Sequence, residues 1–548
     1  MSHSLVVKNL SVNYSSKLAV DNLSFEIAEG EAVSLVGESG CGKSTTALSI
    51  MKLIDGAEIK GQVLFNGTDL STLTEEQMTS IRGKEIGIIF QDPMTSLNPV
   101  YTIGKQISEV LSAHTSLNRS EIKTRVLELL KLVKIPEPEV RIGAYPHQLS
   151  GGQRQRVCIA MAVACSPKLL IADEPTTALD AQVQAEILEL ISKLRREMSM
   201  SLLFISHNLP VVSKYTDRVV VMHGGKKLED IGSEELFVRG THPYTAGLSK
   251  VTMKLGDKRH YSSTKLPEIQ IFSNNGETTY SVNTPQHNNI ERNLYTSERV
   301  LDVKNLSVSY KSNSGKTIDA VKDVSLSVSR GQTLGLVGES GSGKTSLSKA
   351  IMYLIPKHNG SVNLNGTDLD NLKTSALRKF RRNVQMVFQD PFSSLNPRHS
   401  VDEILRHVLK EHENFSYAES SRIIAKCIDD VGLPVESLSK LPHEFSGGQR
   451  QRIAIARAII LKPSLIICDE PVSALDVSVQ AQILNLMTDL KSEHNLSYLF
   501  ISHDLAVVQY MSDNVMVMKE GSIIEEGVYE DIWNSPQHPY TQSLISAY

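Results

Sequence analysis

The chain repeats itself, and the repetition constrains its fold more than any other feature. Leu149-Ser150-Gly151-Gly152-Gln153-Arg154-Gln155-Arg156 returns as Phe445-Ser446-Gly447-Gly448-Gln449-Arg450-Gln451-Arg452, 296 positions later. Glu174 and Glu470, His207 and His503, and His242 and His538 keep that spacing. Gly37 and Gly338 lie 301 apart and Gln91 and Gln389 lie 298 apart, so length differences are confined to the first half of each repeat. A chain of 548 residues is too long for one core. A duplicated domain of roughly 250 residues can hold its own core. The expected organisation is a first domain over 1–251, a polar linker over 252–299 and a second domain over 300–548. The linker text includes Ser273-Asn274-Asn275-Gly276-Glu277-Thr278-Thr279 and Asn283-Thr284-Pro285-Gln286-His287-Asn288-Asn289. If it is a flexible coil of about 47 residues it would span ~35–40 Å, enough to hold two domains face to face, and the text also leaves room for a small ordered element inside it.

Several classes are disfavoured. A net charge of −4 argues against a broad nucleic-acid-binding face. No apolar run reaches the 18 residues of a membrane span, since Ile453 to Cys468 is broken by Arg457 and Lys462. Met1-Ser2-His3-Ser4-Leu5 has no secretion-signal pattern. Cys41, Cys158, Cys165, Cys427 and Cys468 show no metal-site spacing and read as buried free thiols in a reducing compartment.

The repeated Ser-Gly-Gly stretch precedes an apolar run of helical length, so it reads as a helix N-terminus with bare N–H groups, an anion site. The phosphate-binding text lies upstream. Ala32 to Val36 reads as a strand, runs into Gly37-Glu38-Ser39-Gly40-Cys41-Gly42-Lys43-Ser44-Thr45, and is followed by helical text from Thr46 to Leu53. In that context GxxxxGK[ST] is a phosphate loop. Its N–H groups cradle phosphates, Lys43 reaches the β/γ oxygens and Ser44 ligates Mg²⁺. Strands are also expected from Ser4 through Tyr14 and over Phe25 to Ile27. Ile86 to Phe90 reads as a buried strand, ending in the loop Gln91 to Pro99. Alone, Gln91 is as well explained as a turn cap. Val100 to Val140 reads as mostly helical. Lys168 to Ala172 is an apolar strand tipped by Asp173, suited to Mg²⁺, and Glu174, suited to an attacking water. Leu202 to Ser206 places His207 at a strand's C-terminal edge, where open α/β sheets bind ligands. An isolated acid pair or histidine in these places is usually structural. Their joint occurrence beside a phosphate loop favours catalysis.

Assembled in this order, the motifs resemble a tandem nucleotide-binding subunit of an ATP-binding-cassette transporter, over some five hundred residues. Within that class the chain is similar to the oligopeptide/dipeptide importer ATPases. It shares their Gln-Asp-Pro-x-x-Ser-Leu-Asn-Pro loop, at Gln91 to Pro99 and Gln389 to Pro397, and their His-Pro-Tyr-Thr tail, at His242 to Thr245 and His538 to Thr541. Fused twins of this kind resemble the ATPases of microcin C-type peptide importers. The resemblance implies an α/β fold of two P-loop nucleotide-binding domains. Each would have a parallel-sheet core, an antiparallel β subdomain and a helical subdomain. It also implies roles: Tyr14 stacks on adenine, Gln91 senses Mg²⁺, water and the permease, Glu174 polarises the water, His207 holds the γ-phosphate and Asp180 signals across the dimer. Ser446-Gly447-Gly448-Gln449 would close over ATP held by the first copy.

The second copy carries Gly338-Glu339-Ser340-Gly341-Ser342-Gly343-Lys344-Thr345-Ser346, with Thr345 as the Mg²⁺ hydroxyl. Tyr310, Gln389, Asp469, Glu470, Asp476 and His503 fill the remaining roles, with Ser150 to Gln153 closing this site. No catalytic residue type is lost, so two competent sites are expected. The family further implies two separate permease subunits, an external solute-binding protein, and a peripheral position on the cytoplasmic side of the inner membrane. No cysteine follows Cys165 in copy one or Cys468 in copy two, a departure from relatives with an iron–sulfur cluster, so none is expected here. Three rivals remain. A ribosome-associated twin cassette would want a charged, basic helical linker, and a DNA-repair cassette would want coiled coils or zinc-type cysteines. A nickel or metallophore importer differs only in cargo.

Overall fold

Alternation at the N-terminus does produce a strand, His3–Tyr14, with Leu5, Val7, Leu10 and Val12 buried. It pairs antiparallel with Lys17–Ala28 and with Glu58–Phe65, which in turn pairs with Thr68–Asp69. Lys17–Ala28 is far longer than the apolar text Phe25 to Ile27 suggested. Its first half, Lys17 to Asn22, is exposed or half-buried apart from Val20 and is held by cross-strand pairing. The computed structural model describes residues 3–15, 17–177, 179–274, 277–286, 298–311, 317–412, 415–473, 475–546 and 548.

The main sheet of the first half has six strands, in the order Lys226–Gly232, Arg218–His223, Ala32–Val36, Ser201–Ser206, Leu169–Asp173, Ile86–Ile89. All neighbours are parallel except the Lys226–Gly232 edge. Central strands buried on both faces read as continuous apolar runs, which is why Ala32–Val36 and Leu169–Asp173 were legible from composition. Helix Lys43–Ile50 lies between the two sheets. Ala47 and Ile50 join one core with Leu5, Val12, Leu35, Ile171 and Leu203. A helical layer follows the Gln91 loop: Ile103–His114, Arg119–Leu132 and Gly151–Val163. Arg119–Leu132 begins earlier than its apolar period indicates because Asn118 and Glu121 form a capping box ahead of it. The second half repeats the plan. Its four-stranded sheet runs Thr317–Ser329, Arg299–Lys311, Asn359–Leu364, Thr367–Asp368. Its six-stranded sheet runs Val384–Val387, Leu465–Asp469, Ser497–Ile501, Thr333–Val337, Asn514–Lys519, Ser522–Val528.

The chain divides into two units with boundaries unlike those expected. One comprises Met1–Thr252 with Ile269–Val282, the other Met253–Glu268 with Asn283–Tyr548. The polar stretch is therefore not a uniform tether over 252–299. Residues 253–268 build into the second unit, where the Tyr261 N–H donates to the Tyr510 carbonyl and Leu266 pairs with Asn485. The strands Glu268–Asn274 and Glu277–Asn283 form a two-stranded sheet. Residues 287–297 of the expected linker lie outside the described residues. Among the described residues no helix is long and apolar enough to cross a membrane.

Candidate functional site

Parallel pairing aligns the carboxyl ends of the central strands. Asp173 sits opposite Ile205 and Val36 opposite Ser206, so Gly37, Glu174 and His207 all leave the sheet at one edge. The phosphate loop closes on itself there. Buried Lys43 donates from Nζ to the carbonyls of Gly37 (2.6 Å) and Glu38 (2.8 Å) and lies 3.8 Å from the Cys41 sulfur. Gly42 caps helix Lys43–Ile50 with φ 101°, and a Cβ there would stand 2.5 Å from the Ala19 carbonyl, so only glycine fits. The second loop repeats this: Lys344 Nζ donates to Gly338 O and Glu339 O, both at 2.8 Å, and Gly343 has φ 108°.

Ser44 Oγ donates to Asp173 Oδ1 at 3.1 Å, and Thr345 Oγ1 to Asp469 Oδ1 at 3.3 Å. Burial pushes both aspartates above the usual carboxylate range, against the hydroxyl bond, and the neighbouring glutamate adds to the rise. The glutamates move the other way. Burial raises Glu174, but the hydrogen bond and charge of His207, with Thr177 and Lys43, outweigh it and hold the carboxyl low. Glu470 is held low against burial by His503 and Lys344. Burial lowers His503, yet its bond to Glu470 raises it overall.

Gln91 is not a turn cap. That task falls to Asp92, whose carboxylate accepts from Met94 N at the start of Pro93–Ser96. Gln91 Nε2 instead donates to Glu174 Oε2 at 3.0 Å, while His207 Nδ1 stands 3.2 Å from Glu174 Oε1. In the second half Gln389 Nε2 donates to Glu470 Oε2 at 2.8 Å and His503 Nδ1 lies 3.0 Å from the same oxygen. Both glutamates have left-handed backbone, φ 45° and 51°, held by N–H bonds to Ile205 O and Ile501 O. The same left-handed backbone recurs at matching positions outside the site, such as Lys52 and Tyr353 or Ser166 and Lys462, so it belongs to the shared chain trace of the two copies. Thr177 Oγ1, also bonded to Glu174 Oε2 at 3.0 Å, was missed by the sequence reading, where a threonine in a turn carries no signal.

One expectation needs correction. The Ser-Gly-Gly helix ends are not bare: Ser150 and Gln153 form a capping box, as do Ser446 and Gln449. The N–H groups left at each tip are those of the two glycines. The second glycine of each pair also answers to packing, since a Cβ on Gly152 would lie 2.6 Å from Val183 Cγ1, and on Gly448 2.3 Å from Val479 Cγ1. Gly151 and Gly447 have room, with the nearest atoms at 3.5 and 3.6 Å. Asp180 is the N-cap of Ala181–Glu197, accepting from Val183 N at 2.9 Å, a structural task alongside any signalling one. Asp476 precedes Val477–His494 at the same position without that bond. Tyr310 Oη donates to Ser346 Oγ at 3.1 Å, and Tyr14 ends its strand against the core. Each His-Pro-Tyr-Thr motif is a helix start, with His242 Nδ1 accepting from Tyr244 N and His538 Nδ1 from Tyr540 N.

Known proteins resemble this chain in sequence and in fold. A family model described as ABC transporter matches residues 20–177 and 321–473, and one described as oligopeptide/dipeptide transporter, C-terminal region, matches 524–548. The chain is 45% identical over 551 residues to the peptidoglycan transport ATP-binding protein YejF of Agrobacterium fabrum, covering 99% of this chain and 96% of that one. It is 42% identical over 565 residues to the glutathione import ATP-binding protein GsiA of Pectobacterium atrosepticum, covering 99% and 89%. Among solved structures, a dimeric post-hydrolysis state of the ATP-binding cassette MJ0796 with ADP and Pi is 27% identical, with a TM-score of 0.39, over 42% of this chain and 98% of that one.

Proposed function

The chain belongs to the ABC transporter family, as a tandem of two ATP-binding cassettes, and from that premise we propose that it powers uptake of peptides or peptide-like solutes. The similarity to proteins named for peptidoglycan and glutathione transport, and the oligopeptide/dipeptide region at 524–548, support that cargo class. Two separate permease subunits, docked near the Gln91 and Gln389 loops, and a solute-binding protein complete the transporter. This chain lies peripherally on the cytoplasmic face of the membrane and engages no nucleic acid.

One observation carries the reading: each carboxylate, Glu174 and Glu470, is gripped by a glutamine and a histidine beside a phosphate-loop lysine. Held low, Glu174 is ionised at neutral pH, so its oxygens can orient an attacking water and accept its proton. Gln91 Nε2 and His207 Nδ1 fix one oxygen each. Lys43 and the loop N–H groups oppose charge on the transferring phosphoryl group. The paired oxygens of Ser44 and Asp173 are the hard donor set Mg²⁺ favours, and a cation there relieves the crowding of Asp173 against Glu174. When bound, that ion supplies charge neutralisation at the β/γ oxygens. Ser446 to Gln449 close the first site and Ser150 to Gln153 the second, so ATP binding favours a closed pair and hydrolysis releases it. Tyr14 and Tyr310 stack on adenine, and Asp180 and Asp476 couple the sites. No iron–sulfur cluster is part of the proposal.

Glu174→Gln and Glu470→Gln, assayed separately in the reconstituted transporter, test it. Each is expected to lower ATP turnover and peptide uptake by about a hundredfold or more. Wild-type turnover in either variant refutes two competent sites.

A further inference from the structure

The C-terminal extension of each half sets a tyrosine beside its phosphate loop: Tyr244 packs on His223 at 5.0 Å in the first, and in the second the Glu339 N–H donates to Tyr540 Oη at 3.2 Å while Lys519 Nζ sits 4.6 Å above the Tyr540 ring. In the first half the residue 296 positions before Lys519 is His223, and a third element joins it. The hairpin of Glu268–Asn274 and Glu277–Asn283 lies against helix Pro243–Val251, with Ile269 and Val282 bracketing the Cα of Gly247 closely enough to exclude a Cβ there. From this hairpin Tyr280 Oη reaches His223 Nδ1 at 2.9 Å, and its ring packs edge-on against His223 and His242. The other ring nitrogen of His223, Nε2, is 3.8 Å from Glu38 Oε2 in the phosphate loop. The Glu38 carbonyl is itself an anchor of Lys43 Nζ.

We propose that Tyr280 is a positioning residue for the first phosphate loop: by fixing the His223 ring it holds Glu38, and so tunes nucleotide affinity at this site and not at the second. The linker hairpin thereby makes two otherwise matching sites unequal. The chain of contacts is short and specific. A bond to Nδ1, in which the Tyr280 hydroxyl can donate or accept, fixes the plane of the imidazole and so where Nε2 stands relative to Glu38. The proposal rests on the reading of Lys43 and its loop as a nucleotide site.

The test uses the full chain and a fluorescent ATP analogue as probe. Lys344→Ala isolates the first site and Lys43→Ala the second. Tyr280→Phe keeps the ring and removes the hydroxyl. It is expected to weaken first-site binding about two- to tenfold, the range of one hydrogen bond, and to leave the second site within twofold. Tyr280→Phe in the otherwise wild-type transporter should raise the ATP KM more than it lowers kcat. His223→Gln, which keeps a polar group but not the two-sided ring, should weaken the first site similarly, and the double variant should add little. Equal loss at both sites, or none at the first, overturns the proposal. If Lys344→Ala binds no analogue at all, the nucleotide-site reading fails and this inference with it.

Discussion

The same charged pair sits in two different solvents in the two halves. In the first, Arg195 donates to Asp217 at 2.8 Å, with Asp217 more than half exposed, and Asp217 accepts Ala32 N at the start of the strand that leads to the phosphate loop. The matching residues of the second half, Lys491 and Asp513, are buried, and Asp513 likewise accepts Thr333 N at 2.7 Å. What covers them is linker. Tyr261 Oη donates to both Asp513 oxygens and accepts from Lys491 Nζ at 2.6 Å, while His260 stacks on Tyr529 at 4.4 Å. The lysine moves accordingly. Burial pushes its ammonium down to about 8, against the pull of Asp513. A duplicated domain has thus diverged where the connecting segment settles, and a surface ion pair has become a core one.

The contrast is easiest to break at the basic residue. Lys491→Ala strands a buried carboxylate and is expected to destabilise the second unit by about 3–5 kcal/mol. Arg195→Ala breaks a half-exposed pair, screened by water, and should cost about 0–1 kcal/mol. Separate urea transitions for the two units would read the difference, and equal losses would refute it. Tyr261→Phe comes next: it removes a hydroxyl bonded to a buried charge, worth about 1.5–3 kcal/mol, and it should act on the second transition alone. The smallest effect is in pH. With the folded pKa of Lys491 below its unfolded value of about 10.4, the unfolded chain binds more protons between the two. Stability of the second unit should therefore rise with pH in that window, by at most about 1.4 kcal/mol per unit, relative to Lys491→Ala. The first unit carries an arginine in place of that lysine and should show no such rise.

Much of the catalytic edge was legible in the text. Strand, glycine loop and lysine follow one another locally, and the Asp173–Glu174 and His207 positions fall directly after apolar runs that can only be buried strands. Gln91 was ambiguous because its partner, Glu174, is 83 residues away. A sequence offers both a turn cap and a site residue where the fold has room for one. The glycine pair Gly151-Gly152 illustrates the same limit, since a Cβ on the first would make only ordinary contact with Leu179 and one on the second would be pressed against Val183. The linker's low hydrophobicity leaves a free coil and an ordered element equally open in the sequence. Tyr261, Lys265 and Leu266 find partners only among residues more than two hundred positions away.

By itself the sequence determined the duplication, the two phosphate loops and the acids and histidines that accompany them, because each is set by local backbone chemistry or by the period of a buried strand. The tertiary structure alone decided that His223 stands between Tyr280 and Glu38, that Tyr261 seals Lys491 against Asp513, and that the two halves differ at these points. Those are meetings of side chains distant in sequence, where the surroundings rather than the residue type set burial, charge and role.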